Sequence, residues 1–386
     1  MRDLEIVGIG QIPIAEHWDR SLRELAGEAI SAAVEDSGQI RFDVVYIGNM
    51  LSGLISHQEN LGSLISDWIG EPGMEALKIE AACGSGAAAL RSAIFHIRTG
   101  EIDTALILGI EKMSETIGVE TTAALATAAD ADYEVAYGLS FVAINALIMK
   151  SYMEYYGWQH SDFAPFSINA HQNALHNPFA RLHNPITEND YCNSRMVSTP
   201  INLLDASPTG DGAAAIIITA SDNIATKRNG TPHIRIAATT SATDTLSVHD
   251  RSNPYWLNSV EQSSHDAYTQ AGISPKEVDL FELHDAFSIM AAISLEACGF
   301  AEPGKGPQLA SDGDITLSGD IPIATMGGLK ARGHPVGATG IYQIVELTRQ
   351  LRGEAGLAQV NEAKVGMAQN IGGSGATAIT HILISE

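Results

Sequence analysis

The chain has 386 residues, of which 45% are hydrophobic and 18% charged, a balance typical of a globular protein with a large core. Its 46 acidic and 22 basic side chains give a formal net charge of −24. Such a surface repels nucleic acid and anionic membranes, so we expect neither as a partner and interpret the charge as a solvated surface.

The cysteines and the apolar segments bear on the compartment. Cys83, Cys192 and Cys298 are odd in number and widely spaced, which indicates neither a disulfide framework nor a zinc site. Reduced thiols suit the cytoplasm. The amino-terminal residues lack a signal-peptide core, and the longest apolar stretches, at 139–149 and 213–220, are too short to cross a bilayer. We therefore expect a cytoplasmic protein without membrane insertion.

Helix and strand patterns alternate along the chain, and the same order occurs twice. The first half shows a helix over 21–35, a strand over 44–50, a helix over 87–97, a strand over 104–109 and a β-rich segment over 212–219. The second half shows a helix over 259–271, a strand over 278–284, a helix over 338–352, a strand over 364–368 and a β-rich segment over 375–383. The alternation predicts an α/β fold. The repetition predicts two pseudo-twofold-related halves with one site between them.

A long excursion, residues 113–200, separates the elements of the first half. It is rich in aromatic residues, among them Tyr152, Tyr155, Tyr156, Trp158, Phe163 and Phe166. Long insertions in compact domains usually serve as lids or binding loops, so we expect this one to contact a ligand.

Cys83 lies directly before the predicted helix over 87–97. Unpaired backbone N–H groups and the positive end of the helix dipole gather at such a position, and both favour thiolate over thiol. Cys83 is therefore a candidate nucleophile, with a buried packing cysteine as the alternative. We interpret Cys298 as a packing residue and Cys192 as incidental.

Three further segments stand out. They are His-Asp-Ala-Phe at 284–287, Gly-Gly-Leu-Lys-Ala-Arg-Gly-His-Pro-Val-Gly-Ala-Thr-Gly at 327–340, and Asn-Ile-Gly-Gly-Ser-Gly at 370–375. Each has a structural alternative: a satisfied core histidine, a turn before a helix, and a tight strand turn. Together with Cys83 and Asp-Ala-Ser-Pro-Thr-Gly-Asp-Gly at 205–212, they resemble the thiolase family across nearly the whole sequence. The histidine in 284–287 and the 327–334 segment are most similar to archaeal acetoacetyl-CoA thiolases and sterol-carrier-protein-like thiolases.

The resemblance implies the thiolase fold. That fold has two βαβαβαββ halves in a five-layer α-β-α-β-α arrangement, with a loop domain inserted in the first half. Here it implies an N-terminal half of residues 1–112 and 201–225, a loop domain of 113–200, and a C-terminal half of 226–386.

The resemblance also implies a reaction, the thioester-dependent Claisen condensation or thiolysis of 3-oxoacyl-CoA. Cys83 would carry the acyl group and His334 would accept its proton. His284 and His334 would form one oxyanion hole, and the backbone N–H groups of Cys83 and Gly372 a second. The resemblance to archaeal acetoacetyl-CoA thiolases implies that two acetyl-CoA molecules are joined into acetoacetyl-CoA and CoA in isoprenoid (mevalonate) precursor synthesis. Rival functions are a thiolase for longer or sterol-derived substrates, a retro-aldolase, which Cys83 argues against, and a non-catalytic scaffold.

One departure from the family concerns the group that handles the substrate α-proton. Many thiolases place a second cysteine where this chain has Asn370, and the sterol-carrier-like branch can instead supply one where it has Ala286. Neither residue titrates. The α-proton would go to His284, to His334, to deacylated Cys83 or to water, and the sequence leaves these open.

Coenzyme A binding and partners complete the expectations. Lys330 and Arg332 would either attract the phosphates or line a subunit interface, and the aromatic insertion would pack the adenine and pantetheine parts. We expect CoA thioesters as substrate and product, no covalently bound cofactor and no metal. The resemblance implies a homodimer or homotetramer and a complex with 3-hydroxy-3-methylglutaryl-CoA synthase and a zinc-ribbon and OB-fold protein of the DUF35 type.

Overall fold

The computed structural model describes residues 2–223 and 232–386, so the expected domain boundary at 225/226 lies outside the described residues. The strands in this part of the chain are β1 Leu4–Gln11, β2 Val44–Gly48, β3 Glu75–Ile79, β4 Thr104–Glu111, β5 Met196–Ser198, β6 Ile201–Asn202, β7 Gly212–Ala220, β8 Ile234–Thr243, β9 Leu280–Glu282, β10 Val365–Gly372 and β11 Thr377–Ser385. The helices are α1 Leu22–Asp36, α2 Leu61–Trp68, α3 Ser85–Thr99, α4 Gly118–Ala126, α5 Phe141–Tyr156, α6 Ala164–Ala174, α7 Glu188–Cys192, α8 Asn258–Ala271, α9 Ser288–Ala297, α10 Gly306–Ser311 and α11 Thr339–Arg352. None of these helices combines the length and the apolarity needed to cross a bilayer.

Nine strands form one sheet in the order β3-β2-β4-β7-β1-β8-β11-β10-β9. The seam between β1 and β8 consists of two residue pairs, Glu5 with Arg235 and Ile6 with Ile234. On either side of it the pairing repeats, because β2 and β4 are parallel as β9 and β10 are. The antiparallel pairs β4–β7 and β7–β1 correspond to β10–β11 and β11–β8. This pairing is the internal symmetry that the repeated sequence pattern predicts.

The helices sandwich the two parts of the sheet. One core cluster joins α1 and α2 to β2, β4 and β7. A second encloses α3 and α11 between strands from both sides of the seam. A third packs α8, α9 and the inserted helices on β8, β10 and β11. The order from one surface to the other is therefore helix, sheet, helix, sheet, helix.

Helix α1 shows why these segments fold as predicted. Ser21 caps its amino end, accepting from the Glu24 backbone N–H while the Glu24 carboxylate accepts from the Ser21 N–H. This capping box satisfies two otherwise unpaired donors. The residues at helical spacing on one face are buried against the sheet: Leu22, Leu25, Ala26, Ala29, Ile30 and Ala33.

The aromatic residues of the insertion differ from expectation. Tyr152, Phe163 and Phe166 are buried in the core cluster shared with α8 and α9. Tyr155, although exposed, stacks on Tyr255 at a ring-centroid distance of 4.8 Å. These rings stabilise the insertion against the second half, because buried aromatic area is a large favourable term in packing. Tyr152, Phe163 and Phe166 are therefore not available to pack adenine and pantetheine, which corrects the expectation for these three rings, and that role for the rest of the insertion stays a prediction.

Candidate active site

The amino ends of α3 and α11 meet at the centre of the molecule, and glycines allow their close approach. A Cβ on Gly340 would lie 2.5 Å from the Ala87 backbone nitrogen. A Cβ on Gly86 would lie 3.0 Å from the Gly337 carbonyl oxygen. Any larger residue would force the two helices apart, which explains why the Gly-rich motifs stand here. The equivalent helix starts of the two halves thus face one another.

Cys83 sits on a strained turn just before α3. Ala82 adopts a φ of 50°, in the left-handed region that residues with a Cβ avoid. Ser85 holds this turn, because its hydroxyl donates to the Ala82 carbonyl at 2.6 Å and accepts from the Ala81 N–H at 3.0 Å. Such strain concentrates at functional sites. The sequence did not reveal it.

The structure brings together the three residues expected to react. Cys83 Sγ and one ring nitrogen each of His284 and His334 lie within 4.8 Å of one another. The two imidazole rings are nearly perpendicular, at 85°, with centroids 5.0 Å apart. His284 follows β9, and His334 comes from the loop before α11. Two halves of the chain therefore contribute to one site.

These groups open into a cavity of about 190 Å³. Apolar side chains dominate its wall, with polar groups at a few points, as in most small-molecule sites. The lining residues are Cys83, Thr122, Leu125, Ser140, Phe141, Val142, Asn145, Ala206, Ser207, Thr209, His284, Ala286, Phe287, Met290, His334, Val336 and Gly373. The insertion therefore does contribute a wall, through α4 and α5.

Burial controls the charge state of Cys83. It raises the pKa of the thiol to about 12, and buried Glu111 raises it further, while the backbone N–H groups of Gly373 and Cys83 oppose the shift. This corrects the expectation of a resting thiolate, because desolvation outweighs the helix end. The resting nucleophile is a neutral thiol.

The two histidines are neutral as well. Burial lowers the pKa of His284 to about 3, and Arg332 lowers it further. Burial also lowers the pKa of His334 well below its usual value, aided by His284 and Arg332. Each imidazole therefore carries a single ring hydrogen at neutral pH. The thiol must lose its proton during attack on a substrate, with a neutral imidazole beside it.

We expect alkylation of Cys83 by iodoacetamide to accelerate about tenfold per pH unit between pH 7 and 9.5. An acid with a pKa near 12 is protonated throughout this range, so the reactive thiolate fraction grows with each unit. Peptide mass spectrometry resolves Cys83 from exposed Cys192, which serves as the internal control. A plateau below pH 8 would instead reveal a pre-formed thiolate–imidazolium pair.

Each histidine has one hydrogen-bond partner at its Nδ1 atom. Asn370 Nδ2 lies 3.1 Å from His284 Nδ1. Thr339 Oγ1 lies 2.7 Å from His334 Nδ1 and also donates to the Pro335 carbonyl at 3.3 Å. These contacts orient both rings, and they leave the two Nε2 atoms as the nitrogens without such a partner.

Sequence reasoning missed Glu111. Its buried carboxylate accepts from the Met50 and Leu51 N–H groups at 2.9 and 3.0 Å and from the Gly337 N–H at 3.1 Å. One side chain thus ties the loop after β2 to the loop before α11. A charged residue ending the otherwise apolar strand β4 was the available signal.

Two more residues at the cavity were also missed. Asn145, the one polar side chain in the apolar run 141–149, donates through Nδ2 to Ser374 Oγ at 3.2 Å. Gly373 contributes the backbone N–H that acts on the Cys83 thiol. Gly372, the expected oxyanion donor, is the last residue of β10, and its role stays a prediction.

Lys330 and Arg332 require a correction. Both are buried, on a π-helical turn over Gly328–Arg332. Lys330 Nζ donates to the Asp205 carbonyl, and Arg332 forms an ion pair with Glu346 in which both side chains are fully buried. Burial nevertheless raises the pKa of Glu346 to about 7. Buried side chains with internal partners reach neither a phosphate nor a subunit interface.

The remaining expected positions lie at the site. Ala286 lines the cavity, and Asn370 is buried beside His284. Asp285 accepts from the Leu329 N–H at 2.7 Å and so fixes the turn before His334. Within residues 2–223 and 232–386, Cys83, His284 and His334 form the one set of potential donors close enough to share a metal ion. We interpret them as reacting groups, since each is neutral and oriented by its own neighbours.

A buried thiol beside two neutral imidazoles, opening into a small apolar cavity, is typical of enzymes that use a nucleophilic cysteine. Comparison with known families agrees. The thiolase N-terminal domain family matches residues 5–222, and the thiolase C-terminal domain-like family matches residues 240–385. The chain belongs to the thiolase family, which confirms the fold and the enzyme class expected from its motifs.

Individual relatives refine the comparison. The chain is 41% identical over 384 residues to the acetyl-CoA acetyltransferase of Methanothermobacter thermautotrophicus, covering 99% of each chain. It is 33% identical to sterol carrier protein 2 of Bos taurus, covering 97% of this chain and 71% of that protein. A solved structure described as an Ltp2–ChsH2(DUF35) aldolase shares the fold, with a TM-score of 0.84, 22% identity, and coverage of 99% of this chain and 98% of that one.

Proposed function

We propose that the protein is an acetyl-CoA acetyltransferase that converts two acetyl-CoA into acetoacetyl-CoA and CoA through an acetylated Cys83. The observation that carries this proposal is the meeting of Cys83, His284 and His334 within 4.8 Å. The cavity of about 190 Å³ supports a short acyl group. The name of the 41% identical archaeal relative supports the same substrate.

The first half of the reaction acetylates the enzyme. Cys83 Sγ attacks the thioester carbonyl while its proton passes to His334. The backbone N–H groups of Cys83 and Gly372 stabilise the oxyanion, and donors of this kind contribute about 3 kcal/mol each. The intermediate collapses to acetyl-Cys83, and CoA leaves with the proton from His334.

The second half forms the carbon–carbon bond. A second acetyl-CoA binds with its thioester oxygen in the hole formed by the histidines, where negative charge develops as the α-proton leaves. The enolate attacks the acetyl-Cys83 carbonyl, and acetoacetyl-CoA is released as the Cys83 thiol is restored. CoA thioesters are thus substrate and product, and no step needs a metal or a covalently bound cofactor.

Intact-mass measurement tests the proposal. After mixing with acetyl-CoA, we expect the wild-type chain to gain one acetyl group and Cys83→Ala to gain none. Cys192→Ala is the matched control, because it removes an exposed cysteine and should leave the gain intact. An unmodified wild type would favour a non-catalytic scaffold, and an acetylated Cys83→Ala would place the nucleophile elsewhere.

A second candidate is a thiolase for longer or sterol-derived 3-oxoacyl-CoA, which the 33% identity to sterol carrier protein 2 favours. We expect thiolysis of acetoacetyl-CoA to exceed that of a C16 substrate by more than tenfold in kcat/KM, because the cavity is small. Steady-state assays with both substrates distinguish the two candidates, and equal kcat/KM values would support the second.

We further propose a role in isoprenoid (mevalonate) precursor synthesis in the cytoplasm, as a homodimer or homotetramer. The exposed edge strand β3, where Leu77 is 47% exposed, supports self-association. The uphill condensation favours coupling to a consuming enzyme, here 3-hydroxy-3-methylglutaryl-CoA synthase, through a zinc-ribbon and OB-fold protein. The aldolase of similar fold is itself described together with a DUF35 protein. Purification from the native cell without either protein would count against the complex.

A further inference from the structure

We propose that Asn370 holds His284 permanently as a hydrogen-bond donor, and that His334 alone carries protons, including the substrate α-proton. This inference rests on the proposed acetyl transfer, since it assigns the proton steps within that reaction. It gives a positioning role to Asn370, which occupies the place of a second cysteine.

The contact at His284 determines its tautomer. An amide nitrogen carries only hydrogens, so Asn370 Nδ2, 3.1 Å away, donates and His284 Nδ1 accepts. The ring hydrogen must then be on Nε2. Adding a second proton would set the Nδ1–H of His284 against the amide hydrogens. His284 can therefore donate a hydrogen bond to an enolate oxygen but cannot accept a proton without losing its partner.

The opposite orientation of the amide is disfavoured by its surroundings. A Cβ on Gly340 would lie 2.4 Å from Asn370 Oδ1 and 2.5 Å from the Ala87 nitrogen, so the amide oxygen points to the joined amino ends of α3 and α11. Helix amino ends carry partial positive charge and favour an oxygen over an NH₂ group. Asn370 Oδ1 has no hydrogen-bond partner among the described residues, so the partial positive charge of these helix starts is what favours this orientation.

His334 has a different kind of partner. Thr339 Oγ1, 2.7 Å from His334 Nδ1, donates its hydrogen to the Pro335 carbonyl at 3.3 Å and so accepts from Nδ1–H. That bond is the same in the neutral ring and in the imidazolium, because Nδ1 is protonated in both. Only Nε2 changes. His334 can therefore gain and lose a proton without rearrangement. Before it takes the α-proton its Nε2 carries no hydrogen, so His284 alone donates to the thioester oxygen at the start of that step, and His334 becomes a second donor as its Nε2 is protonated.

The proton balance closes with this one carrier. Nε2 of His334 takes the Cys83 proton and returns it to the departing CoA. It next takes the α-proton of the second acetyl-CoA, and the electron pair of the broken C–H bond, held in the enolate, forms the new carbon–carbon bond. When the Cys83 thiolate is expelled, it recovers that proton from His334. At the moment of α-proton loss, Cys83 is acylated and cannot be the base, and neither Ala286 nor Asn370 titrates.

Asn370→Asp separates the two half-reactions. Its carboxylate would accept from His284 Nδ1–H, which removes the hydrogen from Nε2 and the donor from the enolate. The enzyme is first acetylated with acetyl-CoA, and unbound acetyl-CoA is removed by gel filtration. Fresh acetyl-CoA is then added. We expect acetoacetyl-CoA formation to fall about 100-fold, the usual cost of one oxyanion donor. Acetylation of Cys83, followed by intact mass, should change less than about threefold, which also reports an intact fold. Equal losses in both half-reactions, or no loss in the second, would overturn the inference.

Deuterium exchange identifies the base directly. In D₂O, we expect Cys83→Ala to catalyse exchange into the acetyl-CoA methyl group, and Cys83→Ala with His334→Asn to fall to the solvent rate. Exchange that disappears in Cys83→Ala alone would make the sulfur the base and overturn the inference. Failure of the wild type to become acetylated would instead refute the proposed function.

Discussion

Replacing His334 with asparagine is expected to slow acetylation of Cys83 by about a thousandfold, within the range that a positioned base contributes. The neutral thiol cannot attack until a base takes its proton, because burial and Glu111 both disfavour the thiolate. The rate is measured as the growth of the acetylated species by intact mass at fixed acetyl-CoA. An effect of less than tenfold would mean that another group receives the proton.

His171→Asn is the control for this substitution. His171 is also a buried histidine, but its Nδ1 lies 2.9 Å from the Asn184 carbonyl oxygen within the insertion. It does not line the cavity. We expect its substitution to change acetylation less than about twofold, even if stability falls.

The second large effect concerns stability. Arg332→Met should lower the free energy of unfolding by about 3–5 kcal/mol, the usual cost of breaking a buried ion pair. The change leaves the fully buried Glu346 carboxylate without its cation, and Arg332 also loses its contact over the Tyr342 ring at 5.3 Å. Urea unfolding, followed by circular dichroism, measures the difference.

Two variants test this explanation. Arg332→Met combined with Glu346→Met removes both charges and should recover most of the loss, since well-packed apolar replacements of ion pairs are often neutral. Arg235→Met, at the exposed pair with Glu386, should cost less than about 1 kcal/mol. Equal losses at Arg332 and Arg235 would contradict the assignment of Arg332 to a structural core.

The regular elements and the reacting residues could be predicted because they follow local rules. The helix predicted over 87–97 is α3 Ser85–Thr99, and the strand predicted over 364–368 is β10 Val365–Gly372. The hydrophobic periodicity of each segment and the glycines at its ends made these bounds predictable. Cys83, His284 and His334 were recognisable because their motifs resemble a family, and the structure brings them into one cavity.

The charge states and the roles of basic residues could not be predicted, because they depend on burial set by distant parts of the chain. The position of Cys83 before a helix suggested a thiolate, yet residues of both halves exclude water from it. The sequence suggested that Lys330 and Arg332 are accessible cations. The fold instead buries both side chains beside their partners Asp205 and Glu346. The role of Glu111 likewise depends on the fold, which places the Gly337 N–H beside its carboxylate.

The meeting of α3 and α11 has a consequence for how such a site can arise. Two identical copies of one half, paired about an exact axis, would present the same side chain at both helix starts. Joining the copies in one polypeptide removes that constraint. One helix start can then carry a cysteine while the loop before the other carries a histidine. The two halves of this chain have diverged in this way, since the first supplies Cys83 and the second supplies His284 and His334.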